Sequence, residues 1–359
     1  MTDTGSLEKW ATWREIQSQP KIWADWGRSF DPSEIRSWID GMGVDEVWFC
    51  GAGTSAYIGE IIVAGLEGQS GPNLRSVAST DLVARPHAYL SGNKPLVVSF
   101  GRSGNSAESI GTLDVLDALA PDAPRLHITC NGESTLATRT GKGPSKVIVL
   151  PEATHDEGFA MTSSFSTMLL TALSLFDRAS EFQTVMPDLG NALADLLPRY
   201  VDHCGARPGR AVYLGSGAMA FAAREAALKV MELSAGQIPA LWDSTLGFRH
   251  GPKSFVTDDT AITVFCSPDS PTSAYDVDLI SELHAQFPKA RVTSVGPGGD
   301  IDFAMPHGAT WSAPLCVAAA QVASVLWSAD LGLNVDDPFV GQGTLSRVVA
   351  GVKLYPVTR

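Results

Sequence analysis

The chain has 359 residues, 44% of them hydrophobic, and a formal net charge of −13 at pH 7. That length suits about two domains, the composition is globular, and the excess of acid weighs against nucleic acid or an anionic membrane as partner. No stretch approaches the roughly 20 apolar residues of a membrane span, Met1–Glu8 lacks a secretory pattern, and cysteines 50, 130, 204, 266 and 316 form no CxxC pair, so a reducing cytoplasm is expected.

Residues 6–30 read as helical, broken at Pro20, and a second helix is predicted from Asp31-Pro32-Ser33-Glu34. Asp31 suits the N-cap, Pro32 the first helical position and Glu34 the reciprocal cap. Trp10, Trp13, Trp23, Trp26 and Trp38 gather here and are expected to pack onto the sheet or a neighbouring subunit. Short apolar runs follow near 46–50, 95–100, 125–130 and 146–150, then 211–214, 261–266, 291–295 and 309–312, alternating with helical stretches. Gly51 and Gly53 return as Gly215 and Gly217 at an offset of 164, Phe100 as Phe265 at 165, and Arg125 as Arg291 at 166. Two copies of one unit explain that spacing, each a parallel sheet covered by helices. The stretch 190–210 is the expected junction.

Two loops of the first unit fall where a strand C-terminus meets a helix N-terminus, "GAGTS" (51–55) and "GRSGNS" (101–106). Backbone N–H groups at such a place favour anions. Thr54, Ser55, Ser103 and Ser106 add hydroxyl donors. The residues by themselves fit either an anion cradle or polar turns with N-caps. A dinucleotide fingerprint fits poorly, because "GAGTSA" lacks the final glycine and no acidic residue ends a second strand.

In "AFAAREAALKVMELSAG" (220–236) the residues Glu225, Lys229 and Glu232 share one helical face. Solvated ion pairs would account for that pattern. However, Glu232 lies about 22 Å along the helix from its start, at 1.5 Å per residue, too far to serve a ligand at its own N-terminus. It is placed to serve one held by the first unit's loops. His250 sits in the loop "GFRHGPKSF" (247–255), and the other histidines show no metal-ligand spacing.

"CGAGTS", "SFGRSGNSAES" and "REAALKVMELSAGQIPALWDSTLGFRHGPKS" together resemble the sugar isomerase (SIS) superfamily. The resemblance is greatest to its AgaS-type group of galactosamine-6-phosphate deaminase/isomerases, also described as tagatose-6-phosphate ketose/aldose isomerases. It implies two tandem doubly wound, flavodoxin-like domains of three-layer αβα type, at 41–195 and 196–359, behind N-terminal helices at 1–40. By position, Ser55, Ser103 and Ser106 match the family's phosphate-binding hydroxyls, with Thr54, Arg102 and Thr162 as further candidates. Arg102 stands where the related glucosamine-6-phosphate synthase pattern has glutamine, so it either contacts the ligand or braces the loop. Glu232 takes the place of the proton-transferring carboxylate, Glu225 and Lys229 support it, and His250 matches the ring-opening histidine. That chemistry moves one proton between adjacent carbons, and no cofactor or metal is expected. In the synthase this histidine comes from a neighbouring subunit, so a homodimer with shared sites is expected. The synthase's tail lysine aligns with Ala350, three residues before Lys353, which leaves a Schiff-base role for Lys353 unsupported. A deglycase acting on a sugar phosphate bearing an amino acid, and a non-catalytic sugar-phosphate sensor, are the alternatives. The presence of both Glu232 and His250, and the lack of a basic or DNA-binding segment before residue 40, weigh against the sensor.

Overall fold

The apolar runs become two parallel sheets in the computed structural model, which describes residues 4–90, 92, 94–343, 345–349 and 351–357. Helices α1 (Ala11–Ser29) and α2 (Ser33–Met42) come first. The first unit then runs β1 (Glu46–Cys50), α3 (Thr54–Gly65), β2 (Asn73–Ser76), α4 (Ser79–Ala84), α5 (Pro86–Tyr89), β3 (Leu96–Gly101), α6 (Ala107–Leu119), β4 (Arg125–Thr129), α7 (Thr135–Thr138), β5 (Ser145–Val149) and α8 (Ser163–Phe176). After α9 (Phe182–His203) come β6 (Arg210–Gly215), α10 (Ala218–Leu233), β7 (Ala240–Ser244), β8 (Thr260–Phe265), α11 (Thr272–Gln286), β9 (Arg291–Val295) and α12 (Gly308–Asp330). The sheet orders are β2-β1-β3-β4-β5 and β7-β6-β8-β9, parallel throughout, so the repeat seen in the sequence is a repeat of topology.

Several expectations change. Residues 309–312 are not a strand but the first turn of α12, whose alanine-rich continuation favours helix. A short apolar run cannot be told from the start of a buried helix by periodicity. Against the expectation that no stretch approaches a membrane span, α12 at 23 residues is long and apolar enough to cross one, and 78% of its apolar window is buried within the protein. The edge strands β2 and β7 are half-buried and lack a continuous apolar run, which hid them in the sequence. Finally, α1 continues through Pro20. Proline removes the N–H that would reach the carbonyl of Ile16, and the Gln19 side-chain amide donates to that oxygen instead, at 3.4 Å.

Helix α1 lies on α8 and α9. Trp13 and Trp23 are fully enclosed, and the Trp23 and Trp26 indoles donate to Ser166 and Thr171 of α8 at 3.1 and 2.9 Å. The tryptophans therefore clamp helix to helix. Asp31 accepts from the Ser33 N–H at 2.9 Å, but the N-cap of α2 is Pro32 rather than Asp31, no side chain caps the helix, and Glu34 pairs with Lys146 at 2.7 Å. One apolar core runs through both units, and within it α10 lies against α3 of the first unit and against α12. That crossing positions the site.

His127 stands in the middle of β4, 1% exposed, with no hydrogen-bond partner for either ring nitrogen among the described residues. Burial, with the charge of Arg125 adding to it, pulls its pKa down from 6.5 to about 4. The unfolded chain takes up this proton near 6.5 and the folded chain only near 4, so the stability is present above the unfolded value and is lost as pH falls through that window. The loss should be about 3 kcal/mol. A His127→Leu variant should lack this component in denaturant melts at pH 7 and pH 4.5, and an unchanged difference between the two pH values would contradict the assignment.

Candidate functional site

A cavity of about 350 Å³ opens at the C-terminal ends of β1 and β3, walled by 52–55, 101–106 and the segment 346–349. Gly53, the N-cap of α3, has φ +57° and ψ −131°, a conformation that other residues adopt only with strain. The cluster of small polar residues at 103–106 divides its work. Ser106 caps α6, accepting from the Ser109 N–H at 3.4 Å, and Asn105 accepts from the Thr135 N–H at 2.9 Å. Asn131 donates to the Ser103 carbonyl at 3.3 Å. Braced from behind, the loop presents its front to the cavity, where Ser55, Ser103 and Ser106 all lie.

Glu232 lines this same cavity although it belongs to the second unit. It is held there by Lys229, whose ammonium donates to Glu232 Oε2 at 2.6 Å and to Thr54 Oγ1 at 3.0 Å and pairs with Glu225 Oε1 at 3.2 Å. Thr54 Oγ1 in turn donates to Glu225 Oε1 at 3.1 Å, so its hydroxyl faces this network. Glu225 and Lys229 are fully buried, while the Glu232 side chain is 23% exposed. Burial pushes the Glu225 carboxyl up to about 7, with the neighbouring Glu232 charge adding to the rise and Lys229 opposing it. For Lys229, burial would lower the pKa, but the two carboxylates outweigh it and hold the ammonium charged. The pattern that reads equally well as exposed ion pairs is thus a buried charge network joining the units.

Arg102 is 7% exposed and lines the cavity while donating to the carbonyls of Gly158, Phe159 and Arg347 at 3.1, 3.1 and 2.9 Å. Thr162 lies away from the cavity, its hydroxyl on Asp156 at 2.8 Å, and Asp156 also accepts the N–H groups of Ser163 and Ser164 at the start of α8. His250 is exposed, in a short turn after β7, and does not line the cavity. Lys353 is exposed over the Tyr355 ring, and Ala350 lies outside the described residues. Sequence reading missed Glu108, Phe159, Met161 and Arg347, which also line the cavity. Phe159, Met161 and Arg347 come from segments far in the chain from the two loops, whereas Glu108 lies within the 99–109 stretch and was passed over there. Among the described residues no group of three His, Cys, Asp or Glu side chains is arranged to hold a metal ion.

The second unit repeats the geometry without the cradle. Gly217 opens α10 at φ +57°, ψ −127°, close to the values at Gly53. There, however, the buried carboxylate of Asp276, fifth residue of α11, accepts from the Ser267 N–H at 2.9 Å and from the hydroxyls of Ser216 and Thr245 at 3.3 and 2.6 Å. The fifth residue of α6 is Gly111. An internal anion occupies the second unit's donors; the first unit has no carboxylate at the corresponding position.

Two such sheets, with a serine-rich cradle in one and a carboxylate delivered from the other, define a two-unit sugar isomerase architecture. Residues 44–178 match the SIS domain family. The chain is 37% identical to D-galactosamine-6-phosphate deaminase AgaS of Escherichia coli O157:H7, over 96% of each chain, and 35% identical to the protein of that name from Shewanella sp. (strain ANA-3), over 97% of this chain and 92% of that one. The crystal structure of tagatose-6-phosphate ketose/aldose isomerase from Escherichia coli superposes with a TM-score of 0.86 at 33% identity, over 96% of each chain. The chain belongs to the AgaS family of SIS-domain proteins.

Removing the cation from the buried network should be costly, because it strands a buried carboxylate. Lys229→Met should lower stability by about 3–5 kcal/mol in denaturant melts. Adding Glu225→Gln, which needs no counter-charge, should restore more than half of that. A loss below about 1 kcal/mol in the single variant would contradict the network's role.

Proposed function

We propose that the protein is a sugar-phosphate deaminase/isomerase that converts a 2-amino-2-deoxyhexose 6-phosphate, galactosamine 6-phosphate foremost, to the ketose 6-phosphate and ammonia. The observation that supports this reading most is the presence of Glu232, from the second unit's helix, in the wall of the first unit's hydroxyl-rich cavity. The names carried by its relatives agree with it. Ser55, Ser103 and Ser106 with the N–H groups that begin α3 and α6 take the phosphate. Arg102 supplies positive charge behind them. Glu232 removes the proton from C2 of the open-chain sugar, leaving the 1,2-enolamine, and returns it to C1. The resulting C2 iminium takes up water and releases ammonia. With a hydroxyl at C2 the same proton shuttle is aldose–ketose isomerisation, because only the C2 substituent differs.

His250 opens the ring in this proposal, its imidazole able to pass a proton to and from the ring oxygen. Since it is exposed and outside its own chain's cavity, the proposal includes a cytoplasmic homodimer in which each His250 completes the partner's site.

Incubated with galactosamine 6-phosphate, the protein should release ammonia and ketose 6-phosphate in equal amounts. Release of the free amino acid from glycated amino acid 6-phosphates, with no ammonia from amino sugars, would overturn the reading. So would no turnover of amino sugar, hexose or glycated substrates. Co-refolding inactive Glu232→Gln and His250→Ala chains should recover about a quarter of wild-type activity, since half the chains pair as mixed dimers with one intact site. Mixed dimers without activity would place both residues' work within one chain.

A further inference from the structure

We infer that Glu15, on α1 and outside the cavity, is a positioning residue for this site, acting through the 157–159 loop on Arg102; the inference rests on the sugar-phosphate reading above. Glu15 Oε1 accepts the N–H groups of Glu157 and Gly158 at 2.5 and 3.3 Å. The next carbonyls along, of Gly158 and Phe159, are the ones that accept from Arg102 Nη1. A guanidinium is planar and rigid, with five N–H donors in a fixed fork. Three donor contacts are made to those two carbonyls and to that of Arg347, which sets the plane of the group and leaves its remaining N–H groups for a ligand. Phe159 itself forms part of the cavity wall.

The loop is pressed directly onto α1. A Cβ on Gly158 would stand 2.2 Å from Thr12 Oγ1, so only glycine permits this approach. Thr12 also donates to Asp336, at 2.8 Å from both its N–H and its hydroxyl, and the Asp336 carbonyl accepts from the Phe159 N–H at 2.9 Å. Helix α1, the loop and the 336 segment are therefore one hydrogen-bonded block with Glu15 at its centre. Glu15 caps no helix, unlike Asp156. Burial and the charges of Asp156 and Asp336 raise its pKa to about 7, and the two loop N–H groups are what its ionised form gains in return. Losing the carboxylate frees those N–H groups, loosens the two carbonyls and lets the guanidinium turn from the phosphate.

The test is steady-state turnover of galactosamine 6-phosphate by wild type and by Glu15→Ala, Glu15→Asp and Glu15→Gln, with thermal melts of each. Alanine, and aspartate with its carboxylate withdrawn by one methylene, should raise KM at least fivefold with kcat within twofold of wild type. Glutamine, whose amide oxygen reaches the same two N–H groups, should keep KM within twofold. Unchanged KM in the alanine and aspartate variants would overturn the inference, as would a glutamine variant as impaired as alanine. If the alanine variant fails to fold, the aspartate and glutamine variants decide the question. Wild type that neither turns over the sugar phosphate nor is stabilised by it marks failure of the functional reading, whereas active wild type with indifferent variants marks failure of Glu15 alone.

Discussion

The ammonium of Lys229 lies where α3 of the first unit meets α10 of the second, and its contacts span the two. Thr54 begins the helix that follows the 51–53 loop; Glu225 and Glu232 belong to the facing helix. An ammonium has three donors, and here three oxygens surround it. Lys229 opposes the rise that burial imposes on the fully buried Glu225, and the partly exposed Glu232 depends on it for its direction. The first unit's cavity loop and the candidate base are therefore set relative to each other by one buried charge rather than by the cavity rim. Excluding water strengthens such an interaction and also makes its disruption severe.

Duplication supplies two copies of the strand–loop–helix element, and a few residues make the two copies differ. In the second, Asp276 draws Ser216, Thr245 and Ser267 onto a carboxylate of the protein's own. In the first, with Gly111 at the corresponding helical position, no side chain can fill that role. The second copy contributes the far end of its helix instead. The length of α10 matters for the same reason: a ligand at its own N-terminus would lie some 20 Å from Glu232, while the first unit's loops lie beside it.

The central strands were legible because burial on both faces leaves continuous apolar runs, as in "VWFC" and "LVVSF". Edge strands β2 and β7 were not, since their half-exposed residues carry no such signal. The helical face of Glu225, Lys229 and Glu232 was readable from spacing, but its burial and its link to Thr54, 175 residues from Lys229, were not. The serines of 103–106 announced a polar bend without showing which of them brace it. Arg102 illustrates the limit: its three carbonyl partners come from residues 158, 159 and 347, and no local pattern encodes contacts made across such separations.

Exchange of the sugar's C2 proton with solvent deuterium, followed by NMR on galactosamine 6-phosphate with wild type and Glu232→Gln, tests the central claim most directly. Glu232→Gln keeps the shape and the Lys229 contact but cannot accept a proton. Exchange should proceed with wild type and fall by about a hundredfold or more in the variant, while the sugar phosphate still raises the variant's Tm. Exchange retained within tenfold of wild type in a variant that binds the sugar would contradict the account, because the base would then lie elsewhere than at the end of α10.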